Sequence, residues 1–453
     1  MGSFAGLLKA AGHSVRGSDD NVYPPMSDKL AEWGIEVLRG YRPENLDPAP
    51  DLVVVGNVIR KTNPEAVAVM ERGLRYTSFP KALGDLFLAD RHSIVVAGTH
   101  GKTTTTSLIA WVLTSAGRDP GLLVGGVPEN FREGFRLGGG PYFVVEGDEY
   151  DTAYFDKVPK FLHYHPRTAV LTSLEFDHAD IYPNVEAIER EFDKLVALVP
   201  SDGLILACVS QPRVLPRTLG AKARVETYSA RPGADALWCA KDLEVTPQGT
   251  RFSLTRGGEG LGRYDLPLFG VYNVENAVAA AATALSLGLS SAELAQGLAS
   301  FKGVARRQSV RAEIGGVRVV DDFAHHPTAV QETLAGLRAR FPEGRLIAVF
   351  EPRSATSSRA YFQQDYARAF GAASEVIIAG VGRPEIPAAE RLDIERLAKD
   401  ISAAGVPATN IAGVDDIVAK LSGGRRSGDT IVIMSNGGFG GIFEKLERAL
   451  RSA

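Results

Sequence analysis

The chain contains very few cysteines, and their small number excludes two kinds of architecture. Cys208 and Cys239 are the only two among 453 residues. They can build neither a disulfide framework nor a zinc site with four cysteine ligands. We interpret both as small buried side chains. Such sparing use of cysteine is typical of proteins from a reducing compartment.

Long apolar runs are missing as well. No stretch approaches the roughly 18 apolar residues that a membrane-spanning helix needs. The opening residues, MGSFAGLLKAAGHS, place Lys9 inside a short apolar stretch and offer no A-x-A cleavage site, so they do not predict a signal peptide. Gly6 stands where a myristoylation motif needs Ser or Thr. The sequence therefore predicts a cytoplasmic protein that has no membrane partner.

An excess of charge of either sign is also lacking. The 50 Lys and Arg residues against 54 Asp and Glu residues give a formal net charge of -4. A balance of this kind provides no global field that would attract nucleic acid, so no nucleic-acid partner is expected. Any site for an anion must be local. The hydrophobic share of 45% is enough for ordinary buried cores.

The length and the alternation of patterns predict three α/β domains. A typical domain of about 150 residues gives two or three for this chain. Short apolar strands alternate with helix-like stretches over residues 1–91, 92–304 and 305–453, which is typical of parallel sheets. Residues 229–264 have strand-like pieces and are interpreted as a β-rich flank of the second domain. Residues 301–316, FKGVARRQSVRAEIGG, are predicted to be a connection.

The strongest motif is a glycine-rich loop between an apolar strand and a helix. Its residues are Gly98, Thr99, His100, Gly101, Lys102, Thr103 and Thr104. Backbone N–H groups at such a helix start can hold phosphates, Lys102 would reach the terminal phosphates, and the Thr103 hydroxyl would bind Mg²⁺. Val96 stands where a standard phosphate-binding loop has glycine. The alternative is a structural turn with an accidental lysine.

Two acidic clusters follow predicted strands and so belong at the ligand-binding edge of a sheet. The first contains Glu146, Asp148, Glu149 and Asp151, and the second contains Asp177, His178 and Asp180. Acids crowded together in this way repel one another without a cation. We therefore predict Glu146, in the cluster of four acids, as a metal ligand. His178 is predicted as a ligand of a second metal because it lies at the same sheet edge. A solvated acidic loop and a structural histidine are the alternatives.

Polar residues later in the chain have two interpretations each. Asn273 and Asn276 flank a predicted helix start, where they could cap the helix or bind a purine, and the sequence alone favours the cap. Arg306 and its neighbour Arg307 could reach a developing phosphate charge or belong to a solvated linker.

The third predicted sheet also has polar residues at its ligand-binding edge. Asp321, Asp322 and His325 follow the strand VRVV, and Arg353 follows LIAVFE. An arginine at this edge suits the capture of a carboxylate.

Taken in order, the motifs resemble those of the Mur ligases, ATP-dependent amide-forming enzymes of cell-wall synthesis. They are GTHGKTTT, VEGDEYD, SLEFDHADIY, VYNVENAVAAAA, GVARRQ, DDFAHHPTAV and FEPRS, and they span essentially the whole chain. The resemblance implies a Rossmann-like N-terminal domain for a UDP-sugar, a central P-loop ATPase-like domain, and a Rossmann-like C-terminal domain for the incoming peptide. A short phosphate loop is normal in this family.

Within the family, three segments look like the member that joins L-Ala-γ-D-Glu-meso-diaminopimelate to UDP-N-acetylmuramate in peptidoglycan recycling. They are GSDDNVYPPMS, GGVPENF and DEYDTAYFDKVPKFLHYHP. The resemblance implies that the lactoyl carboxylate of UDP-N-acetylmuramate attacks the γ-phosphate of ATP. The resulting acyl phosphate is then captured by the amino group of the tripeptide. The alternative within the family is the UDP-N-acetylmuramate:L-alanine ligase.

The same resemblance implies a role for each matched residue. Lys102, His178 and Arg306 are expected to be catalytic. Lys102 and Thr103 are expected to bind phosphate and Mg²⁺, and Glu146 and His178 to bind metal. Asn273 and Asn276 are expected to contact adenine, Asp321 or Asp322 to bind the ribose, and His325 to lie beside the nucleotide. Arg306 is expected to reach the γ-phosphate, and Arg353 to bind a carboxylate of the tripeptide.

The beginning of the chain departs from the family pattern. The family starts with a hydrophobic strand and a glycine-rich turn that meets the UDP group, whereas this chain starts at Met1 and Gly2, within that turn. We expect an N-terminal domain that lacks its first strand and binds the UDP-sugar more weakly. A start codon further upstream is the simpler explanation. A nucleotide-binding protein inactive through loss of this strand is therefore the second functional alternative.

Overall fold

The computed structural model describes residues 1–23, 26–383 and 385–452. The first part of the chain forms two separate pairs of parallel strands. Arg16–Asp19 (β1) pairs with Glu36–Arg39 (β2), and Val53–Val55 (β3) pairs with Tyr76–Ser78 (β4). The parallel pairing predicted for this region is confirmed. The elements are α1 (Gly2–Ala10), β1 (Arg16–Asp19), α2 (Met26–Glu32), β2 (Glu36–Arg39), β3 (Val53–Val55), α3 (Pro64–Glu71), β4 (Tyr76–Ser78) and α4 (Phe79–Leu83).

The middle of the chain forms a ten-stranded sheet in the order β16-β15-β14-β13-β12-β11-β5-β8-β6-β7, with β9 and β10 as a separate antiparallel pair. Its elements are β5 (His92–Ala97), α5 (Lys102–Ser115), β6 (Gly121–Leu123), β7 (Phe135–Arg136), β8 (Tyr142–Gly147), β9 (Asp151–Ala153), β10 (Asp156–Pro159), β11 (Pro166–Leu171), α6 (Val185–Leu198), β12 (Leu204–Cys208), β13 (Arg224–Ser229), β14 (Trp238–Thr246), β15 (Gly249–Arg256), β16 (Glu259–Leu266), α7 (Val271–Ser286) and α8 (Ser291–Ala299). The strand-like pieces predicted over residues 229–264 include β14 and β15, which extend this sheet. β14 pairs in parallel with β13, and β15 pairs antiparallel with β14 and β16.

Both faces of the central strands are covered by helices, and this explains their unbroken apolar sequences. In β5, Ile94 and Val96 pack on the side of α5, α7 and α8. Val95 and Ala97 point to the opposite face and pack on the side of α1, α4 and α6. Because successive side chains of a strand alternate between faces, a strand buried on both faces needs an apolar residue at every position.

The last part of the chain forms a six-stranded sheet in the order β17-β18-β22-β19-β20-β21, with helices on both faces. Its elements are β17 (Ser309–Ile314), β18 (Val317–Asp322), α9 (Pro327–Arg340), β19 (Leu346–Phe350), α10 (Gln363–Ala369), β20 (Glu375–Ile378), α11 (Ile394–Ala403), β21 (Ala408–Asn410), α12 (Val414–Gly423), β22 (Thr430–Met434) and α13 (Ile442–Ser452). All pairs except the antiparallel β17 and β18 are parallel.

Two predictions of local structure are wrong. Residues 309–314 belong to the predicted connection but form the edge strand β17, because Ala312 and Ile314 pack onto the core of the third sheet. The capping role favoured for Asn273 and Asn276 is not observed, since α7 begins at Val271 with Gly270 as its N-cap.

Loops at the carboxyl ends of strands from the two large sheets meet each other. Glu175, beyond the end of β11, accepts a hydrogen bond from Thr328 of α9 at 2.9 Å. Nearby, the backbone N–H of Ala179 donates to the hydroxyl of Thr356 at 3.2 Å. The polar segment that follows β11 therefore lies against the third sheet. Among the helices described, none is long and apolar enough to cross a membrane.

Candidate functional site

The glycine-rich loop connects β5 to the start of α5 and depends on two glycines for its shape. Gly98 has φ of 147° and Gly101 has φ of 81°, in the region where side chains are disfavoured. A Cβ at Gly98 would lie only 2.1 Å from the Thr172 hydroxyl oxygen. Gly101 is the N-cap of α5, and no side chain caps this helix start. Its N-terminus is therefore available to an anion such as phosphate.

Lys102, Glu149 and His178 form a chain of charges beside this loop. The Lys102 Nζ lies 2.9 Å from Glu149 Oε2, and the His178 Nε2 lies 3.2 Å from Glu149 Oε1. Glu149 is only 2% exposed. Lys102 also donates to the carbonyl of Gly98. The loop lysine is thus held in place by a buried carboxylate that sequence reasoning did not single out for this task.

The pKa values of the side chains in this group depend on the charges of their neighbours. Burial by itself would raise the pKa of the Glu149 carboxyl, but the charges of Lys102 and His178 outweigh it and lower the pKa to about 2. Burial would likewise lower the pKa of His178, yet its hydrogen bond to Glu149 raises that pKa to about 9. Glu149 is therefore an anion that pairs with two cations, Lys102 and His178.

The side chains predicted to bind metal lie in two groups. Thr103 Oγ1 donates to Glu146 Oε1 at 2.8 Å, and the backbone N–H of Gly125 donates to Glu146 Oε2 at 2.7 Å. Burial, with a contribution from Asp148, raises the pKa of the Glu146 carboxyl. His178 instead contacts Glu149. A hydroxyl and a carboxylate at one point are the hard oxygen donors that Mg²⁺ prefers.

Asn273 and Asn276 are both buried on α7. The Asn276 side-chain oxygen accepts a hydrogen bond from the Thr105 hydroxyl at 3.1 Å, which brings α7 against α5. A Cβ at Gly101 would lie 2.6 Å from this same oxygen. Asn273 donates to the backbone carbonyl of Phe269 at 2.8 Å. Asn276 therefore borders the glycine-rich loop.

The two neighbouring arginines point to different partners. Arg306 donates from Nη2 to the carbonyls of Ser435 and Gly437, at 2.7 and 2.9 Å. Arg307 instead brings its Nη2 to 3.5 Å from Thr103 Oγ1 in the glycine-rich loop. Nothing in the sequence separates the two, because only the path of the backbone before β17 decides which one faces the loop.

The polar residues at the end of β18 have distinct surroundings. Asp321 and Asp322 are the last two residues of that strand. Asp322 is buried and accepts from the backbone N–H groups of Gln308 and Ala324, at 2.7 and 2.8 Å. Asp321 faces Arg306, whose Nε lies 3.5 Å from Oδ1.

His325 reaches back toward the middle of the chain. Its Nε2 lies 3.8 Å from Asp177 Oδ2, beyond the end of β11. The loops after β18 and β11 thus contact each other through these two side chains.

Arg353 lies against two glycines, Gly382 and Gly437. A Cβ added at Gly437 would lie 1.5 Å from Arg353 Nη1, and one added at Gly382 would lie 2.7 Å from its Cγ. Both glycines follow strands of the six-stranded sheet. The two glycines therefore leave the space that the arginine occupies at the carboxyl end of this sheet.

Three models of protein families match successive parts of the chain. The "Mur ligase family, catalytic domain" matches residues 1–91, the "Mur ligase middle domain" residues 96–284, and the "Mur ligase, glutamate ligase domain" residues 306–437.

Individual relatives resemble the chain over most of its length. The UDP-N-acetylmuramate–L-alanyl-gamma-D-glutamyl-meso-2,6-diaminoheptandioate ligase of Escherichia coli (strain K12) is 42% identical, covering 98% of this chain and 95% of its own length. The UDP-N-acetylmuramate–L-alanine ligase of Chlorobium phaeobacteroides (strain BS1) is 36% identical, covering 84% and 80%. Among solved structures, a murein peptide ligase from Psychrobacter arcticus 273-4 has a TM-score of 0.73 and 36% identity, covering 100% and 97%.

Proposed function

The chain belongs to the Mur ligase family, and on this premise we propose that it joins L-Ala-γ-D-Glu-meso-diaminopimelate to UDP-N-acetylmuramate as ATP is split into ADP and phosphate. One observation carries the choice of substrate. The relative named for this tripeptide is 42% identical over 98% of the chain, while the L-alanine ligase is 36% identical over 84%. The reaction would serve peptidoglycan recycling.

The proposed reaction has two steps. In the first, an oxygen of the lactoyl carboxylate bonds to the γ-phosphorus of ATP, and the bond from that phosphorus to ADP breaks. In the second, the amino group of the tripeptide bonds to the acyl carbon, loses a proton, and phosphate leaves. Both steps develop negative charge on phosphate oxygens, which fixed cations stabilise.

The charged groups beside the glycine-rich loop support this chemistry. Lys102 would move from the carbonyl of Gly98 to the terminal phosphates of ATP while Glu149 keeps it oriented. His178, on the other side of Glu149, completes the charged group. Arg307 already lies near Thr103, whereas Arg306 would reach the γ-phosphate only after leaving the carbonyls of residues 435 and 437.

Thr103 and Glu146 would hold Mg²⁺, and their paired oxygens fit this ion. His178 would be a ligand of a second metal only as the neutral imidazole, after losing the proton that Glu149 stabilises. When bound, Mg²⁺ would neutralise charge on the transferred phosphoryl group. For the nucleotide itself, we assign adenine to Asn273 and Asn276. The ribose is assigned to Asp321, because the oxygens of Asp322 already accept backbone hydrogen bonds.

We assign residues 1–91 to the UDP-sugar, 92–304 to ATP, and 305–453 to the incoming peptide, with His325 beside the nucleotide. Arg353 would bind a tripeptide carboxylate through its planar guanidinium. A cytoplasmic location follows from the proposal, because both ATP and the UDP-sugar are found there.

The test is release of phosphate by the purified chain with ATP, Mg²⁺ and UDP-N-acetylmuramate. The tripeptide and L-alanine are added in separate reactions. We expect release with the tripeptide only. Release with L-alanine alone would replace the proposal with the L-alanine ligase.

If neither acceptor causes phosphate release, a second measurement is needed, because the chain could bind ATP without hydrolysing it. Binding of ATP to the wild type and to Lys102→Ala then separates the outcomes. Binding without turnover would support an inactive nucleotide-binding protein. Absence of binding would contradict the assignment of the glycine-rich loop.

A further inference from the structure

Two histidines and a glutamate converge at the junction of the two large sheets, apart from the side chains assigned above to Mg²⁺. His100 comes from the glycine-rich loop after β5, Glu175 from the segment after β11, and His326 from the start of α9. One ligand atom from each lies within 4.8 Å of the other two. In the part of the chain that the structure describes, this is the one such trio of His, Cys, Asp or Glu.

The distances within this trio are close to those of a metal site. The His100 Nε2 lies 2.7 Å from Glu175 Oε2, and the His326 Nδ1 lies 3.5 Å from the same oxygen. Zinc bonds of about 2.0–2.2 Å in a tetrahedron put neighbouring ligand atoms about 3.3 Å apart. The observed separations lie on either side of this value, so small side-chain movements would admit an ion.

A buried nitrogen of the trio has no hydrogen-bond partner. His326 is 4% exposed, and its Nε2 has no hydrogen-bond partner among the residues described. Its Nδ1 faces Glu175 and also a backbone N–H, that of Thr328, at 3.4 Å. Nδ1 is therefore the nitrogen that faces the other two ligands, and an ion bound to it would replace the long hydrogen bond from Thr328. Nε2 would then carry the proton of the neutral imidazole.

Outer contacts hold the three side chains in their orientations. The Thr328 hydroxyl donates to Glu175 Oε1 at 2.9 Å, which leaves Oε2 directed at the two imidazoles. The Phe362 ring packs edge-on against His326, with centroids 4.6 Å apart. The backbone N–H of His100 donates to Ser173 Oγ at 2.7 Å. Metal ligands are commonly oriented by such second contacts.

We propose that His100, Glu175 and His326 form a binding site for Zn²⁺ or a similar transition-metal ion, which links the phosphate loop of the middle unit to the third sheet. Two imidazoles, one carboxylate and a water are a common zinc ligand set. Imidazole nitrogen distinguishes this site from the oxygen pair of Thr103 and Glu146, which suits Mg²⁺. Because its ligands come from both units, a bound ion would oppose their separation.

The test uses Co²⁺ as the probe, added to the full chain in excess Mg²⁺. We expect about one Co²⁺ per chain with the strong visible absorption of a four-coordinate site. The ion should also raise the midpoint of thermal unfolding, because it binds only the folded chain. The main variant is His326→Asn. Asparagine removes the imidazole but can still accept the N–H of Thr328 as the helix cap.

Two controls and a second variant make the result specific. Glu175→Gln should also lose the absorption and the thermal shift. His163→Ala removes a histidine outside the trio, whose Nε2 lies 2.7 Å from Asp156 Oδ2. His178→Ala removes the histidine assigned above to the second metal of the ATP site. Both should keep the signal. Absence of Co²⁺ binding to the wild type, or binding that survives in folded His326→Asn, would overturn the proposal. Neither result depends on ligase turnover.

Discussion

Replacing Glu149 by glutamine should leave the buried ammonium of Lys102 without its anionic partner and so destabilise the middle of the molecule. Glu149 is 2% exposed, and its partner Lys102 has a side chain only 11% exposed. Removing one partner of a buried ion pair costs about 3–5 kcal/mol. Glutamine keeps one oxygen as an acceptor, and Lys102 keeps its bond to the Gly98 carbonyl, so we expect about 3 kcal/mol. For a cooperative unit of about 150–250 residues this corresponds to a fall of roughly 6–12 °C in the unfolding midpoint.

The assay is thermal unfolding followed by circular dichroism, with two further variants. Glu244→Gln is the matched control, because its partner Arg263 lies 2.6 Å away but both side chains are 51% exposed. It should cost no more than about 1 kcal/mol. The double variant Lys102→Met with Glu149→Gln should recover most of the loss, since no uncompensated lysine remains. A single variant that melts like the wild type, or a double variant that loses more, would refute the reasoning.

Three other predictions concern the proposed peptide site, the loop and the thiols. Gly437→Ala should raise KM for the tripeptide by roughly 10-fold or more while leaving KM for ATP unchanged, because its Cβ would displace the guanidinium of Arg353; equal kinetic constants would contradict the assignment. Arg307→Ala should lower kcat by about 10²–10³ with little change in thermal stability, and wild-type turnover would exclude a catalytic role. Alkylation of the native chain, mapped by mass spectrometry, should modify Cys239 before Cys208, because burial raises the pKa of the Cys208 thiol; the reverse order would show that Cys208 is accessible.

Much of the fold was predictable because its signals are local. An apolar run bounded by turn residues indicates a buried strand wherever it stands in the chain, and the strands β5, β8, β12, β19 and β22 were all found in this way. Errors arose where the signal was weak. The strand β17 alternates polar and apolar residues over only six positions, and its place beside β18 depends on a core that the sequence does not display.

The site was only partly predictable, for the same reason. A phosphate loop is contiguous, so its residues 98–104 could be identified from glycine, lysine and threonine alone. The partner of Lys102 could not, because Glu149 is one of four acids in a short segment and only the turn after β8 decides which carboxylate faces the lysine. The functional roles given to these residues stay predictions until the assays are made.

The sequence by itself determined the family, the order of most strands and helices, and the chemical groups available at the ends of the predicted strands. It did so because motif and periodicity lie within short stretches of chain. Only the tertiary structure decided that Arg307 rather than Arg306 faces Thr103, and that His100 and His326 meet at Glu175. These contacts join residues from two separate sheets, and the direction of each side chain is set by packing that no local stretch of sequence contains.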